Sequence, residues 1–508
     1  MFHGDVLGER ARLTPEKQAL VFVPTGERLT YRQLDERARA VAHVCHGALG
    51  VRKGDRVAIL AHNRPELLDV FFSAGKSGAI AVPLGTRLTA HELAQIVGDC
   101  TPRVLFYDGA LSATVNALRL LLGPAAPVFV ALDEPAVPTD PPLAELLRTV
   151  ERTGGVFERC HPEDTFCLLY TSGTTGRPKG VMLPHRMIAF NAYNTAIGWQ
   201  LREDDVTPIF TPLYHAGGLG AFLLPIVAIG GTVVLHAGFD AGEVWDVLQR
   251  EVCTVALGVP TIFKLLMEHP AFETADLSKV RWFISGGAPL PLFIAEAYQR
   301  RGVGFKQGFG MTEVGVNCFA MTLEDSVRHR GSIGKPLPFT EARLVGPDGQ
   351  DTPVGEVGEL WLRGPHVCSG YWRQPEATAA ALDADGFFHT GDLARCDAEG
   401  FFTIAGRRKD MFISGGVNVY PAEIEGALLL HPDLQDAAVA GVADAAWGEI
   451  GVAFVVCRPG RNVTGEVLSA FLGDHLAKYK RPRRYVFVEA LPRTPSGKVV
   501  KAALVGRA

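Results

Sequence analysis

Two amphipathic runs in the first hundred residues open on the same device. Thr30-x-x-Gln33 and Thr89-x-x-Glu92 each place a hydroxyl before the run and, three positions on, a side chain that can reach back to it, the capping-box signature of a helix start. A short apolar run follows each one, RVAILA over 56–61 and RVLFY over 103–107, with the length and composition of a buried strand. The alternation continues through TVVLH, CTVALG and KVRWFIS, so the pattern predicts an α/β fold. From Val206 to Phe239 there is no Asp, Glu, Lys or Arg, a stretch long enough to cross a bilayer. Pro208, Pro212, Pro225 and the glycines at 217, 218, 220, 230 and 231 break any continuous helix there. The span reads instead as a buried turn, helix and strand beside a pocket, and no integral membrane segment is expected.

Composition changes this picture little. At 508 residues, with 47% hydrophobic and 21% charged positions, the chain has ordinary globular usage and room for about three domain-sized units. A net charge of −5 is too small and of the wrong sign for general nucleic-acid binding, which leaves a small molecule as the expected partner. The nine cysteines never form CxxC, which argues for reduced thiols in a cytoplasmic protein rather than a zinc ribbon or disulfide framework. The N-terminal MFHGDVLGERARLTP lacks the apolar run of a secretory signal.

Charge does change the picture near GRRKD, residues 406–410. Residues 407–508 hold 14 Lys and Arg against 10 Asp and Glu, leaving −9 for residues 1–406. Two domains are expected with a boundary there, a large body over 1–406 and a small basic unit over 407–508. Between Lys478 and Lys501 eight cations face one acid. Such a stretch is either a solvated face or a surface that meets phosphates.

The most informative chemistry lies at Tyr170 to Gly180, YTSGTTGRPKG. Gly173 and Gly176 let the backbone turn and present amide donors, Thr171, Ser172, Thr174 and Thr175 add hydroxyls, and Lys179 adds a cation, a donor set suited to a polyphosphate. It is not a Walker A loop, which needs four residues between its glycines and Ser or Thr after the Lys. A P-loop kinase or ATPase is therefore disfavoured.

At this loop the chain resembles the adenylate-forming superfamily of acyl-CoA synthetases, amino-acid-activating adenylation domains and beetle luciferase. TPLYHAGGL (211–219), SGGAPL (285–290), QGFGMTE (307–313), TGD (390–392), GRRKDMFISGGVNVYPAEIE (406–425) and RTPSGK (493–498) follow in order. The resemblance implies a large multi-layered α/β domain with a β subregion, then a small mobile α+β cap. It implies an AMP-forming acid–thiol ligase using ATP, Mg²⁺ and coenzyme A. Attack of a carboxylate on the α-phosphate would give an acyl-adenylate and pyrophosphate, and a thiol would then displace AMP.

Residue roles follow from the same resemblance. Glu313 matches the Mg²⁺ carboxylate, with Thr312 beside it. Gly286, Gly287 and Ala288, together with Gln307, Gly308, Phe309 and Gly310, match the flat adenine slot. Phe309 stands where the family usually has Tyr, which keeps the ring and loses a hydroxyl. Asp392 and Arg407 match the ribose contacts. Lys498 matches the catalytic lysine of adenylation; taken alone, a Lys in an SGK turn reads as a surface residue. Lys409 falls at the hinge about which the cap rotates. Ser414, Gly415 and Gly416 match the loop lining the pantetheine tunnel, and Trp447, Tyr479 and Arg481 align with CoA contacts of aryl-CoA ligases, although Trp447 also reads as ordinary packing.

His215, with Ala216 and Gly217, occupies the segment that gates the acyl pocket in the family; the alternative is a satisfied core histidine. The uncharged span disfavours amino-acid substrates, whose ammonium needs a buried carboxylate, and likewise dicarboxylates. Gly308, Gly310, Gly315 and Val316 stand where aryl-CoA ligases carry bulkier groups, so an open channel is expected. The first expectation is a medium- or long-chain fatty acid, with benzoate or cinnamate types next. An acyl carrier protein as acceptor, and a homodimer, are left open by the sequence.

Overall fold

Both capping boxes form. Thr30 and Gln33 bond reciprocally at the start of helix Tyr31–Gly47, and Thr89 and Glu92 do so for Ala90–Cys100. The strands expected after them are Arg56–Leu60 and Val104–Tyr107. In the computed structural model, which describes residues 5–150, 160–172, 178–414, 417–444, 447–493 and 499–506, they lie in a six-stranded sheet. Its order is Val128–Ala131, Val104–Tyr107, Arg56–Leu60, Ile80–Pro83, Thr165–Ser172, Pro178–Pro184. All neighbours are parallel except the last two strands, which form an antiparallel hairpin. Strands such as VLFY and IAVP are buried at every position, as a sheet covered on both faces demands.

A second sheet runs Glu27–Thr30, Gln18–Phe22, Thr232–Leu235, Val206–Ile209, and a third, all parallel, runs Val255–Gly258, Trp282–Ser285, Gly304–Gln307. The third sheet's register brings Gly258, Ser285 and Gln307 level at one carboxyl edge, the place where α/β sheets hold ligands. The uncharged span folds as strand, π-helical turn Gly217–Leu223, helix Leu224–Ile229 and strand. Among the described residues no helix is long and apolar enough to cross a membrane.

An antiparallel sheet of Glu341–Val345, Val357–Arg363, Phe388–Cys396 and Phe402–Arg407 supplies the β subregion. Beyond it a small α+β unit builds its own core. Leu434–Asp444 and Gly448–Cys457 pair antiparallel, and Ile424, Leu428, Val439, Val455 and Leu468 pack beneath helices Pro421–Leu428 and Gly465–Gly473. The expected class, mixed α/β with a large N-terminal and a small C-terminal domain, is what the chain adopts. All nine cysteines are free thiols, seven of them buried.

Candidate active site

The hairpin Thr165–Ser172/Pro178–Pro184 sets Thr171 opposite Lys179 and Ser172 opposite Pro178, so the two strands that border the glycine- and threonine-rich segment in sequence are paired. Gly173, Thr174, Thr175 and Gly176 lie outside the described residues, as does the Ser172 side chain. The Lys179 ammonium stands 4.8 Å from the centre of the Tyr371 ring. The Trp372 amide donates to the Gly180 carbonyl at 2.7 Å, which fixes the segment carrying Tyr371 beside the hairpin. The Tyr371 phenol donates to Glu313 Oε1 at 3.1 Å. Burial, then the Glu313 charge, raise the Tyr371 pKa, so the phenol stays a donor. Lys179, Tyr371 and Glu313 thus form a cation, phenol and carboxylate cluster. Tyr371 had no motif to mark it in the sequence.

Glu313, 7% exposed, rides on a tight turn. The Met311 amide donates to the Gly315 carbonyl at 3.0 Å, and the Cys368 amide donates to the Glu313 carbonyl at 2.8 Å. Gly315 has φ +85°, and a Cβ on Gly310 would lie 2.3 Å from the Val316 carbonyl carbon and oxygen. His366 braces the turn from behind, its Nδ1 2.6 Å from the Val314 carbonyl oxygen and its Nε2 2.9 Å from Thr340 Oγ1. Among the described residues no three His, Cys, Asp or Glu side chains converge as a metal cage. One carboxylate suits only a cation that phosphate oxygens also hold, the usual case for Mg²⁺.

Gly286, Gly287 and Ala288 continue directly from the strand end at Ser285, with Gly287 at φ +80°. The Gly308 amide donates to the Ser285 carbonyl at 2.8 Å, and Gln307 Oε1 accepts from the Leu290 amide at 3.3 Å. The two segments assigned to the adenine slot therefore adjoin. Half-buried Phe309 meets Phe319 edge-on at 5.8 Å. Asp392 and Arg407, fifteen positions apart in sequence, face each other in the antiparallel register, and Arg407 Nε lies 3.0 Å from Asp392 Oδ1. A second pair, unmarked in the sequence, stands beside them: Arg408 Nη1 is 2.8 Å from Glu359 Oε2, while Glu359 Oε1 accepts from the Gly391 amide at 3.1 Å.

A cavity of about 30 Å³ lies between Thr312 and Phe71, bordered by Met187, Asn191, Ala216, Leu219 and Val316 and by no charged side chain. His215 stands two positions before the π-helical turn and next to Ala216, which borders the cavity, its ring 4.6 Å from that of Tyr214. Asn191 fixes two walls, donating to the Gly220 carbonyl at 2.6 Å and accepting from the Val316 amide at 3.2 Å. Among the described residues the space beside Gly308, Gly310 and Gly220 is occupied rather than open. Gly310 is filled by backbone, a Cβ on Gly308 would touch Ile284 at 3.0 Å, and a Cβ on Gly220 would meet Val316 at 2.9 Å. These glycines serve turn packing.

In the small domain, Trp447 and Tyr479 are 40% and 42% exposed. The Arg483 guanidinium covers the Trp447 ring at 4.1 Å. Arg481 departs from its expected place. Its guanidinium donates to the Leu476 and Gly473 carbonyls at 2.9 and 3.2 Å, closing the end of helix Gly465–Gly473 rather than facing outward. Ser414 is buried at the end of a short strand. Gly415, Gly416 and Lys498 lie outside the described residues.

The AMP-binding enzyme model matches residues 7–372, and the AMP-binding enzyme C-terminal domain matches 423–498. The chain belongs to the AMP-binding enzyme family. It is 41% identical to a feruloyl-CoA synthase of Amycolatopsis sp over 97% of its length and 96% of the relative. It is 36% identical to the long-chain-fatty-acid–CoA ligase FadD13 of Mycobacterium tuberculosis over 99% and 97%. Among solved structures, o-succinylbenzoate CoA synthetase of Bacillus subtilis with its acyl-adenylate superposes with a TM-score of 0.87 at 32% identity, covering 98% and 97% of the two chains. An anthranilate CoA ligase with anthranoyl-AMP superposes with a TM-score of 0.90 at 29% identity, covering 100% and 97%. This AMP-binding enzyme is an AMP-forming acid–CoA ligase whose substrates are a small carboxylic acid, ATP and CoA.

Proposed function

We propose that the ligase activates an aryl-propenoic acid of the ferulate or cinnamate type in preference to the medium- or long-chain fatty acid first expected. The observation that carries this reading is the small cavity beside Thr312, lined by Gly220, Val316 and other uncharged residues. A flat ring enters such a slot by displacing an adaptable side chain such as Met187. A long flexible chain needs a continuous channel. The 41% identity to a feruloyl-CoA synthase, against 36% to a long-chain ligase, supports the same order, and the lack of a charged lining residue disfavours amino acids and dicarboxylates.

In this reading residues 1–406 bind ATP and acid, and residues 407–508 rotate about Lys409 between two half-reactions. Thr171, Ser172, Gly173, Thr174, Thr175, Gly176 and Lys179 hold the phosphates. Glu313, which accepts from the Tyr371 phenol, would help hold Mg²⁺, which would offset phosphate charge. Asp392 accepts from the ribose hydroxyls, and the segments 286–288 and 307–310 flank adenine. A carboxylate oxygen attacks the α-phosphorus, the bond to the bridging oxygen breaks, and pyrophosphate leaves with Lys498 offsetting its charge. The CoA thiol, losing its proton, then attacks the acyl carbon and AMP departs. Ser414, Gly415 and Gly416 line the thiol's approach, and Trp447 with Arg483 offers a platform for the nucleotide end of CoA.

The test is ATP- and CoA-dependent pyrophosphate release with ferulate, cinnamate, benzoate, octanoate and palmitate. The propenoates should give the highest kcat/KM. Palmitate ahead of ferulate would refute the aryl assignment and leave the ligase reaction standing. Replacing CoA with a purified acyl carrier protein should abolish thioester formation.

A further inference from the structure

Lys306 sits one residue before the adenine-slot segment, yet its side chain belongs elsewhere. It pairs with Ile284 in the parallel register and so leaves the sheet on the face shared by Trp282 and Ile284. The residue is 5% exposed. Among the described residues its ammonium has no hydrogen-bond or ion-pair partner; it lies 4.5 Å from the Trp282 ring and 5.1 Å from that of Trp199. Indole faces offset part of the cost of burying an ammonium, but an unpaired buried charge is otherwise disfavoured. Burial, with the Arg281 charge adding to it, pulls the Lys306 pKa down to about 8.

The ammonium borders an open cavity of about 640 Å³ that shares no lining residue with the cavity beside Thr312. That volume lies within the ~300–1,000 Å³ typical of small-molecule sites. Its charges are unbalanced. Arg281 is bound by both Asp205 oxygens at 2.6 and 2.7 Å, and Asp325 is committed to the Thr322 capping box, accepting from its hydroxyl at 2.7 Å. The exposed Arg202 and Lys335 have no carboxylate at bridging distance among the described residues, and Lys335 lies over the Phe401 ring at 4.5 Å. Lys306 and Arg202 therefore face the cavity without a paired carboxylate among the described residues, Lys335 feels the Asp325 charge only through space, and Trp282 and Phe401 give the cavity apolar walls.

We propose that this cavity is a second binding site for a small organic anion, its carboxylate or phosphate head on Lys306 and its apolar body against Trp282 and Phe401. Arg202 and Lys335 draw the anion in from solvent, and the occupied site bears directly on the strand that enters the nucleotide-facing segment.

The experiment is calorimetric titration of benzoate, phenyl phosphate and inorganic phosphate into enzyme whose active site is already filled by an acyl-sulfamoyl-adenosine analogue. One organic anion should bind the filled wild-type enzyme at one equivalent. Lys306→Met should weaken it at least about tenfold, and the conservative Lys306→Arg should restore part of the loss. The affinity should fall as pH rises through about 8, where the free ammonium loses its proton; Asp325, whose carboxyl the Thr322 hydroxyl holds below the usual range, keeps its charge throughout. Arg202→Gln, a surface change that spares the core, should weaken binding less. Preference for phenyl phosphate or for benzoate identifies the head group, and either supports the site. No binding of any of the three probes, or equal binding to wild type and Lys306→Met, would overturn it. Inorganic phosphate binding as tightly as phenyl phosphate would overturn the role of the apolar walls.

Discussion

Gly310→Ala separates the two readings of the glycines in QGFGMTEVG. A Cβ there would stand 2.3 Å from the carbonyl carbon and oxygen of Val316 and 2.4 Å from the Gly315 oxygen. All are main-chain atoms, so no side chain can swing away. Carbon contacts settle at about 3.5–4.0 Å, and the 311–316 turn must open by about an ångström. Overpacking of this kind costs about 1–3 kcal/mol, a fall of roughly 1–4 °C in the apparent Tm of a domain this large. Thr312 and Glu313 move with the turn, and an ångström of misplacement at a catalytic group costs on the order of 100-fold in rate. Gly308→Ala is the control, because its Cβ meets the tip of Ile284 at 3.0 Å, a side-chain terminus that can yield. ATP–pyrophosphate exchange with the best acid, alongside thermal melts, reads both variants. If the glycines instead opened a channel, both alanines would alter acid preference at unchanged stability. That result, or near wild-type exchange by Gly310→Ala, would refute the packing argument.

Lys498→Ala should abolish adenylate formation yet still transfer acyl from supplied acyl-adenylate to CoA; equal loss of both half-reactions in a folded variant would sink the division of labour. Lys409→Pro fixes φ at the expected hinge and should slow thioester formation more than adenylation, and unchanged thioester kinetics would count against rotation there. Burial, with Arg186 adding to it, holds the His366 pKa below its usual value, although the Val314 carbonyl works the other way. The unfolded chain therefore takes up this proton first as pH falls, so stability should decline below about pH 6.5 and level off beneath the folded pKa. Melting curves from about pH 7.5 to 5 should show that decline and His366→Asn should flatten it; an unchanged slope in the variant would remove His366 from the account.

Local signals were legible wherever a few adjacent residues settle the outcome. The two capping boxes and the strands 56–60, 104–107, 232–235, 255–258 and 282–285 follow from hydroxyl spacing and apolar runs, and they form. Strand order was not legible, because placing Ile80–Pro83 between Arg56–Leu60 and Thr165–Ser172 depends on packing between distant segments. The pairing of Asp392 with Arg407 could be drawn only from resemblance, since it rests on the register of two strands. Tyr371 and Glu359 were missed for the same reason: each acts on a residue about fifty positions or more away, Glu313 and Arg408. The glycines misled in a different way. A small residue opens space only if nothing else fills it, and at Gly310 the backbone of Val316 does.

The basic C-terminal stretch makes the same point about charge. The eight cations between Lys478 and Lys501 looked like a surface for phosphates, but the fold has already committed several of them. Lys480 pairs with Glu423, Lys501 with Glu425 and Arg493 with Asp436, while Arg481 closes a helix end. Each acid lies outside the basic stretch, so counting charge within the stretch overstates the field it projects. Among the described residues Lys478, Arg483 and Arg484 are the cations of this stretch held neither by a salt bridge nor by a helix end, and Arg483 lies on the half-exposed Trp447 ring. A platform that pairs an aromatic face with an unspent guanidinium suits a base and its phosphates better than a diffuse positive surface does. The recognition of CoA should therefore concentrate at Trp447 and Arg483 rather than spread along the tail. Arg483→Gln should raise the KM for CoA and leave ATP–pyrophosphate exchange unaltered, and a KM for CoA equal to the wild-type value would return the tail to the role of a solvated face.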